Sequence, residues 1–262
     1  MSTAYDVVRQ ARSQDKASTP WLIEQLVTHF HEFHGDREHG DDPAIIGGVG
    51  FLGDQAVTVI GTNKGRTLAE SQACHFGCAT PEGYRKAIRL MRQAAKFRRP
   101  VLNLINTPGA YPGVEAEYHG QGDAIAQCIL TGVSLPVPTI SVIVGEAGSG
   151  GALALACGDQ TWMFAQSTYS ILSPEGYASI LWRDGQRAAE AAEQMRLTPA
   201  EILADGIVDR IVPEVTDAAG ASGLRAELIA TMAELTALPT QQLMNARHRR
   251  YRSFGTDGLQ EQ

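Results

Sequence analysis

Gly145-Glu146-Ala147-Gly148-Ser149-Gly150-Gly151-Ala152-Leu153 follows the apolar run Pro138-Thr139-Ile140-Ser141-Val142-Ile143-Val144 and leads into Ala152-Leu153-Ala154-Leu155-Ala156. That order of residue types predicts a strand, a glycine turn and a helix. Glycine loses more backbone entropy on folding than any other residue. Four of them between 145 and 151 therefore mark a left-handed turn or a close backbone approach. N–H groups at such a turn, opening onto a helix N-terminus, suit an anion or a developing oxyanion.

The same order occurs earlier, as Val101-Leu102-Asn103-Leu104-Ile105-Asn106, the turn Thr107-Pro108-Gly109-Ala110-Tyr111-Pro112-Gly113, and a helix from Glu115 to about Leu130. Two successive units put two glycine turns at the same ends of neighbouring strands, where α/β folds bind ligands.

Upstream, residues 45–61 form two apolar runs joined at Gly53-Asp54, a β-hairpin pattern. Gly48, Gly50 and Gly53 spell GxGxxG, but a strand follows where a dinucleotide site needs a helix. Asn63-Lys64-Gly65-Arg66 is a polar turn, expected to be solvated. Pro81-Glu82-Gly83 opens a helix with the apolar stripe Ala87, Leu90, Met91, Ala94 and Phe97. Its basic face of Arg85, Lys86, Arg89, Arg92 and Lys96 is expected in solvent.

Residues 1–40 read as a polar helical arm, with Trp21, Leu22, Leu26, Val27 and Phe30 at helical spacing. His29, His31 and His34 would not share a helix face, so no metal site is expected. Downstream, 160–164 and 168–172 read as strands, and Ser173-Pro174-Glu175-Gly176 opens a helix. A short strand over 207–212 and an amphipathic helix over 224–238 follow. The basic segment Ala246-Arg247-His248-Arg249-Arg250-Tyr251-Arg252 reads as a terminal helix capping a subunit interface.

The chain has 262 residues, 44% of them hydrophobic, enough for a sizeable core. A net charge of -7 gives no overall signal for nucleic acid or an acidic membrane surface. The first ten residues lack a basic start and an apolar core, and the uncharged stretch 124–145 is interrupted by Gln127, Gly132, Pro136 and Pro138. Neither a secretory signal nor a membrane span is expected, and a cytoplasmic protein is. Cys74, Cys78, Cys128 and Cys157 include no CxxC pair, so no zinc ribbon or disulfide framework is indicated.

Residue types separate the chemistries open to the second glycine turn. A Walker A loop requires Lys and Ser or Thr after Gly150, where Gly151 and Ala152 stand, so phosphate-transfer chemistry fails there. A nucleophile elbow requires glycine at Ala147. A looser serine hydrolase, with Ser149 as nucleophile, His119 as base and Asp123 as orienter, stays as the alternative. Glycines that only let a helix pack on a strand are a third reading. A fourth is a pair of backbone oxyanion holes, which requires no catalytic side chain.

The chain resembles the carboxyltransferase α subunit of bacterial multi-subunit acetyl-CoA carboxylase over roughly residues 20–254. The shared motifs are Gly35-Asp36-Arg37, Lys64-Gly65-Arg66, Pro81 to Ala87, Thr107 to Gly113, Gly148-Ser149-Gly150-Gly151-Ala152-Leu153, and Ser167 to Ser170 with Ser173 to Gly176. The resemblance implies an α/β crotonase-like fold, a spiral of repeated ββα units. This core would span 41–215, with helical extensions over 1–40 and 216–262. It implies transfer of a carboxyl group from carboxybiotin, borne on a biotin carboxyl carrier protein, to acetyl-CoA, giving malonyl-CoA for fatty acid synthesis. It further implies an α2β2 assembly with a β subunit that carries a zinc ribbon and holds acetyl-CoA. The N–H groups of Gly150 and Gly151 would form the oxyanion hole, with Gly109, Ala110 and Gly148 lining the carboxybiotin cavity; no metal is expected on this chain. Asn106 and Ala147 depart from the family pattern, which has Asp and Gly there.

Overall fold

The computed structural model describes residues 2–255. The N-terminal arm holds helices α1 (Ala4–Ala11) and α2 (Thr19–Leu26), each started by a hydroxyl cap, Thr3 and Ser18. It then turns into a strand, β1 (Thr28–Glu32), where the helical spacing predicted continued helix. His29, Phe30 and His31 therefore alternate along an exposed edge strand.

The hairpin forms as predicted, from β2 (Ile45–Leu52) and β3 (Gln55–Thr62), paired antiparallel from Ile45↔Thr62 to Leu52↔Gln55. After the short helix α3 (Leu68–Ala73) comes α4 (Pro81–Phe97), begun by a first-turn proline and ended by Arg98 in the left-handed conformation.

Strand β4 (Val101–Thr107) is buried along its whole length, as a parallel strand covered on both faces must be. The helix predicted after it is broken at Gly120 (φ 81) into α5 (Val114–Tyr118) and α6 (Gln121–Val133). Strand β5 (Thr139–Gly148) extends further than the apolar run and passes directly into α7 (Ser149–Ala156). Gly145 and Gly148 thus belong to the strand, and the expected loop between strand and helix does not exist.

Then follow β6 (Gln160–Phe164), β7 (Thr168–Ser170), α8 (Pro174–Trp182), α9 (Ala188–Gln194), α10 (Pro199–Ala204) and β8 (Arg210–Val212). The described chain closes with α11 (Ala218–Thr236) and α12 (Thr240–Ser253).

The strands form one sheet in the order β1-β2-β3-β4-β5-β6-β8, with β7 beside the end of β5. Pairing is antiparallel through β3 and parallel from the β3–β4 pair onward. Alternation along the strands divides the core. Val101, Ile105 and Ile143 pack with Leu90 and Met91 of α4, Cys128 of α6 and Leu155 of α7. Leu102, Leu104, Val142 and Trp162 face Leu22 and Leu26 of α2 and Leu224 and Leu228 of α11. This mixed α/β architecture is the crotonase-like one expected, and it aligns the C-terminal ends of β3, β4, β5 and β7 on one side. No helix among the described residues is long and apolar enough to cross a membrane.

Two basic segments are tied into the fold, and the first, on α4, is only partly in the solvent predicted for it. Lys86 is fully buried and donates to Asp41 Oδ1 at 2.6 Å, while Arg85 donates to Asp36 Oδ2 at 2.8 Å and Glu82 Oε1 at 2.9 Å. They tie α4 to the loop before β2. On α12, Arg247 lies in the core, donating to Asp159 and to the carbonyls of Gly132, Leu135 and Val137. The terminal helix is fastened to its own domain by that side chain.

Candidate active site

The two glycine turns meet. A Cβ on Gly148 would lie 2.0 Å from Pro108 O, and one on Gly151 would lie 2.5 Å from Ala110 N and 2.8 Å from the Tyr84 hydroxyl. Real Cβ atoms do not approach this closely, so both positions require glycine to bring the start of α7 against the turn after β4. Gly150 is different: its Cβ would meet only Ile125 Cγ2, at 3.4 Å.

The turn after β4 is held from several directions. The Thr107 hydroxyl lies 2.7 Å from Gly77 O and 2.8 Å from Gly109 O, and accepts from Gly109 N–H at 3.1 Å. Tyr111 N–H donates to Ala79 O, and the Gln121 amide donates to the carbonyls of Ala79 and Tyr111, each at 2.9 Å. Gly109, at φ 152, takes a conformation that side chains disfavour. Its N–H is committed to Thr107, whereas that of Ala110 has no hydrogen bond among the described residues.

Across this turn stands the N-terminus of α7. First-turn N–H groups have no acceptor within the helix, and Gly148 offers no side chain to cap them. All five residues expected to form the site, Gly109, Ala110, Gly148, Gly150 and Gly151, are brought together. The arrangement offers neutral backbone donors. The nearby Tyr84 hydroxyl is no acid at neutral pH, because burial pushes it far above the ordinary phenol value.

Beside the turns lies a charged group that the sequence pattern did not disclose. Between Ile105↔Ile143 and Thr107↔Ala147, β5 carries two more residues than β4. The bulge is stitched by Asn106 Oδ1, which accepts from Glu146 N–H at 3.1 Å. Glu146 Oε1 then accepts from Arg12 Nε at 2.7 Å, and its Oε2 from Lys64 Nζ. Arg12 also grips Glu175 at 2.8 and 3.1 Å. Burial works to raise the Glu146 carboxyl, but the Lys64 charge and the hydrogen bonds from Lys64 and Arg12 outweigh it and hold the group below the usual range. Arg12 and Glu146 are far apart in sequence, and neither belongs to a spacing pattern. The polar turn at Lys64, expected to be solvated, instead brings Lys64 onto Glu146.

The serine hydrolase alternative is not supported. Ser149 is exposed at φ 53 and makes no side-chain hydrogen bond among the described residues. His119 Nδ1 pairs with Glu82 Oε1 at 2.7 Å, and its ring stacks on His39, so Glu82 and not Asp123 orients it. Among the described residues no group of three His, Cys, Asp or Glu side chains could hold a metal ion.

Comparison with known proteins gives the chain its family and its fold. Residues 2–255 match the protein family described as acetyl co-enzyme A carboxylase carboxyltransferase-like. The acetyl-coenzyme A carboxylase carboxyl transferase subunit alpha of Streptococcus equi subsp. equi (strain 4047) is 47% identical over 256 residues, 97% of this chain and 100% of the relative. That of Streptococcus pyogenes serotype M5 (strain Manfredo) is 49% identical over 261 residues, again 97% and 100%. Among solved structures, transcarboxylase 12S with methylmalonyl-coenzyme A and methylmalonic acid bound superposes with a TM-score of 0.71 at 20% identity, covering 89% of this chain and 44% of that one. The β subunit of P. aeruginosa geranyl-CoA carboxylase gives 0.66 at 17% identity, covering 88% and 43%. The chain therefore spans less than half of these longer structural neighbours, with which it shares a fold.

Proposed function

The chain belongs to the acetyl-coenzyme A carboxylase carboxyltransferase α-subunit family, and from that membership we propose that its paired glycine turns form the carboxyl-donor half of a divided active site. It is a component of a biotin-dependent carboxyltransferase. The reaction takes the carboxyl group of carboxybiotin and delivers it to acetyl-CoA, giving malonyl-CoA. When bound, carboxybiotin supplies the carboxyl carbon and leaves its ureido ring with negative charge.

The residues present suit that group. An anion that must be stabilised without being protonated requires weakly acidic donors, and the site offers backbone N–H groups beside a Tyr84 hydroxyl whose acidity burial lowers further. In this reading the Gly150 and Gly151 N–H groups face the developing charge. Ala110 N–H faces it from the opposite turn, and Gly109 and Gly148 keep the backbones close enough to enclose it. Fixed dipoles in a packed site stabilise charge as it develops, with no reorganisation of the protein. The observation that carries the proposal is the contact of Gly148 and Gly151 with the backbone of Pro108, Gly109 and Ala110.

The α-subunit identity implies a β subunit. To that partner we assign the zinc ribbon and the acyl thioester, in an α2β2 assembly served by a biotin carboxyl carrier protein in the cytoplasm. The test is reconstitution. Malonyl-CoA is expected from the chain with its β subunit, carboxylated carrier and acetyl-CoA, and not from the chain alone. Full turnover by the chain alone would overturn the divided site.

A further inference from the structure

Tyr84 stands near the start of α4 and is 1% exposed, within the core cluster that includes Met91 and Cys128. Its ring serves that core. Its hydroxyl has no hydrogen-bond partner among the described residues, although a buried tyrosine usually finds one. Nor is the oxygen sealed in. The sealed side-chain atoms without a partner belong to His75, Asn103, Gln121 and Arg250, so the little surface that Tyr84 keeps lies at its hydroxyl.

The place of that oxygen decides what it can meet. A Cβ on Gly151 would lie 2.8 Å from the Tyr84 hydroxyl and 2.5 Å from Ala110 N, so the phenol and both glycine turns converge on one spot. The start of α4 is pinned there, with Arg85 on Asp36 and Glu82, and Lys86 on Asp41 and the Asp42 carbonyl. The ionisable groups that act on the phenol are Cys128, Asp42 and Cys78, with no cation among the described residues. Burial and these neighbours keep it neutral at pH 7, so its hydrogen is always present. An O–H that keeps its proton can still donate a hydrogen bond, and tyrosine is among the side chains that stabilise oxyanions in this way.

We propose that Tyr84 is a catalytic residue, its hydroxyl donating to the oxygen on which negative charge develops between the two glycine turns. It joins the N–H groups of Ala110, Gly150 and Gly151 as the one side-chain donor of the site. The assignment rests on the carboxyltransferase reading, on which that oxygen is the ureido oxygen of the carboxyl donor. No proton is transferred, and the phenol keeps its hydrogen throughout.

Turnover of the chain with its β subunit, carboxylated carrier and acetyl-CoA is compared for the native chain, Tyr84→Phe and Gly150→Pro across neutral pH. Tyr84→Phe keeps the ring and removes an oxygen whose loss orphans no partner, so the melting temperature should hold. Assays run well below the melting temperatures keep catalysis readable if it does not. In Tyr84→Phe kcat should fall about a hundredfold. KM for the carboxylated carrier should stay the same, as for an interaction made only in the transition state. The shape of the pH profile should also stay, because no proton moves. Unchanged kcat in Tyr84→Phe, with activity lost in Gly150→Pro, would overturn the role of Tyr84 and leave the glycine turns as donors. A raised KM with kcat intact would overturn it in favour of ground-state binding. A pH profile of altered shape would overturn it in favour of proton transfer. Full turnover by both variants would overturn the carboxyltransferase site itself.

Discussion

A side-chain carbon on Gly151 would fall 2.5 Å from the backbone nitrogen of Ala110, so the two glycine turns are one packed object. Gly151→Ala should push the α7 start away from the turn, destabilise the fold by about 1–3 kcal/mol and lower kcat about a hundredfold through misplacement. Gly150→Ala meets only Ile125 Cγ2 at 3.4 Å and should keep both properties. Equal behaviour of the two variants in melting and turnover assays would contradict the packing account.

Gly150→Pro separates the donor from the packing. Proline in the first turn removes an N–H that has no acceptor in the helix, and Ser149 before it is already outside the right-handed helical region. The melting temperature should change little while kcat falls about 10²–10³-fold, as for other lost oxyanion donors. Unchanged kcat in the folded variant would remove Gly150 from the site.

Glu146→Gln should destabilise by about 1.5–3 kcal/mol near neutral pH, by replacing charge-assisted hydrogen bonds to Arg12 and Lys64 with neutral ones. The folded-state value of Glu146 is lowered, so its contribution is complete above the ordinary value of about 4.3 and is lost as pH falls through the folded value. The gap in melting temperature between the native chain and Glu146→Gln should therefore close on acidification below pH ~4. A gap that stays constant with pH would show that the carboxylate charge does not hold the N-terminal arm.

Arg247→Leu should be the most damaging of these changes to stability. It strips Asp159 of its ionic partner and leaves the carbonyls of Gly132, Leu135 and Val137 without their donor. Breaking a buried pair on one side costs about 3–5 kcal/mol, roughly a 6–20 °C drop in melting temperature for a chain of this size. A drop of only a degree or two would mean that α12 is held by its apolar contacts.

Where the determinants are local, the pattern of residue types was enough. The β2–β3 hairpin, the proline-started α4 and the paired β4 and β5 units all lie where alternation, capping and glycine placement put them. The turn residues Gly109, Ala110, Gly148, Gly150 and Gly151 also came together, because two similar units in succession put their turns at adjacent strand ends. Long-range pairing decided what was misread. Lys86 looked solvated because its carboxylate, Asp41, lies in a loop far earlier in the chain, and the tie of Arg247 to Asp159 was hidden for the same reason. The β1 segment carried apolar residues at helical spacing, but pairing with β2 through His31↔Val49 and Glu32↔Gly48 outweighed that local signal.

Strand β5 hands directly to α7 at Gly148, which is both the last residue of the strand and the cap of the helix. No flexible joint lies between the central sheet and the proposed donors. The site is therefore finished at the moment the sheet finishes folding, and its geometry inherits the stiffness of the core. Any adaptation therefore falls to the parts that meet this fixed edge from outside, the N-terminal arm among them.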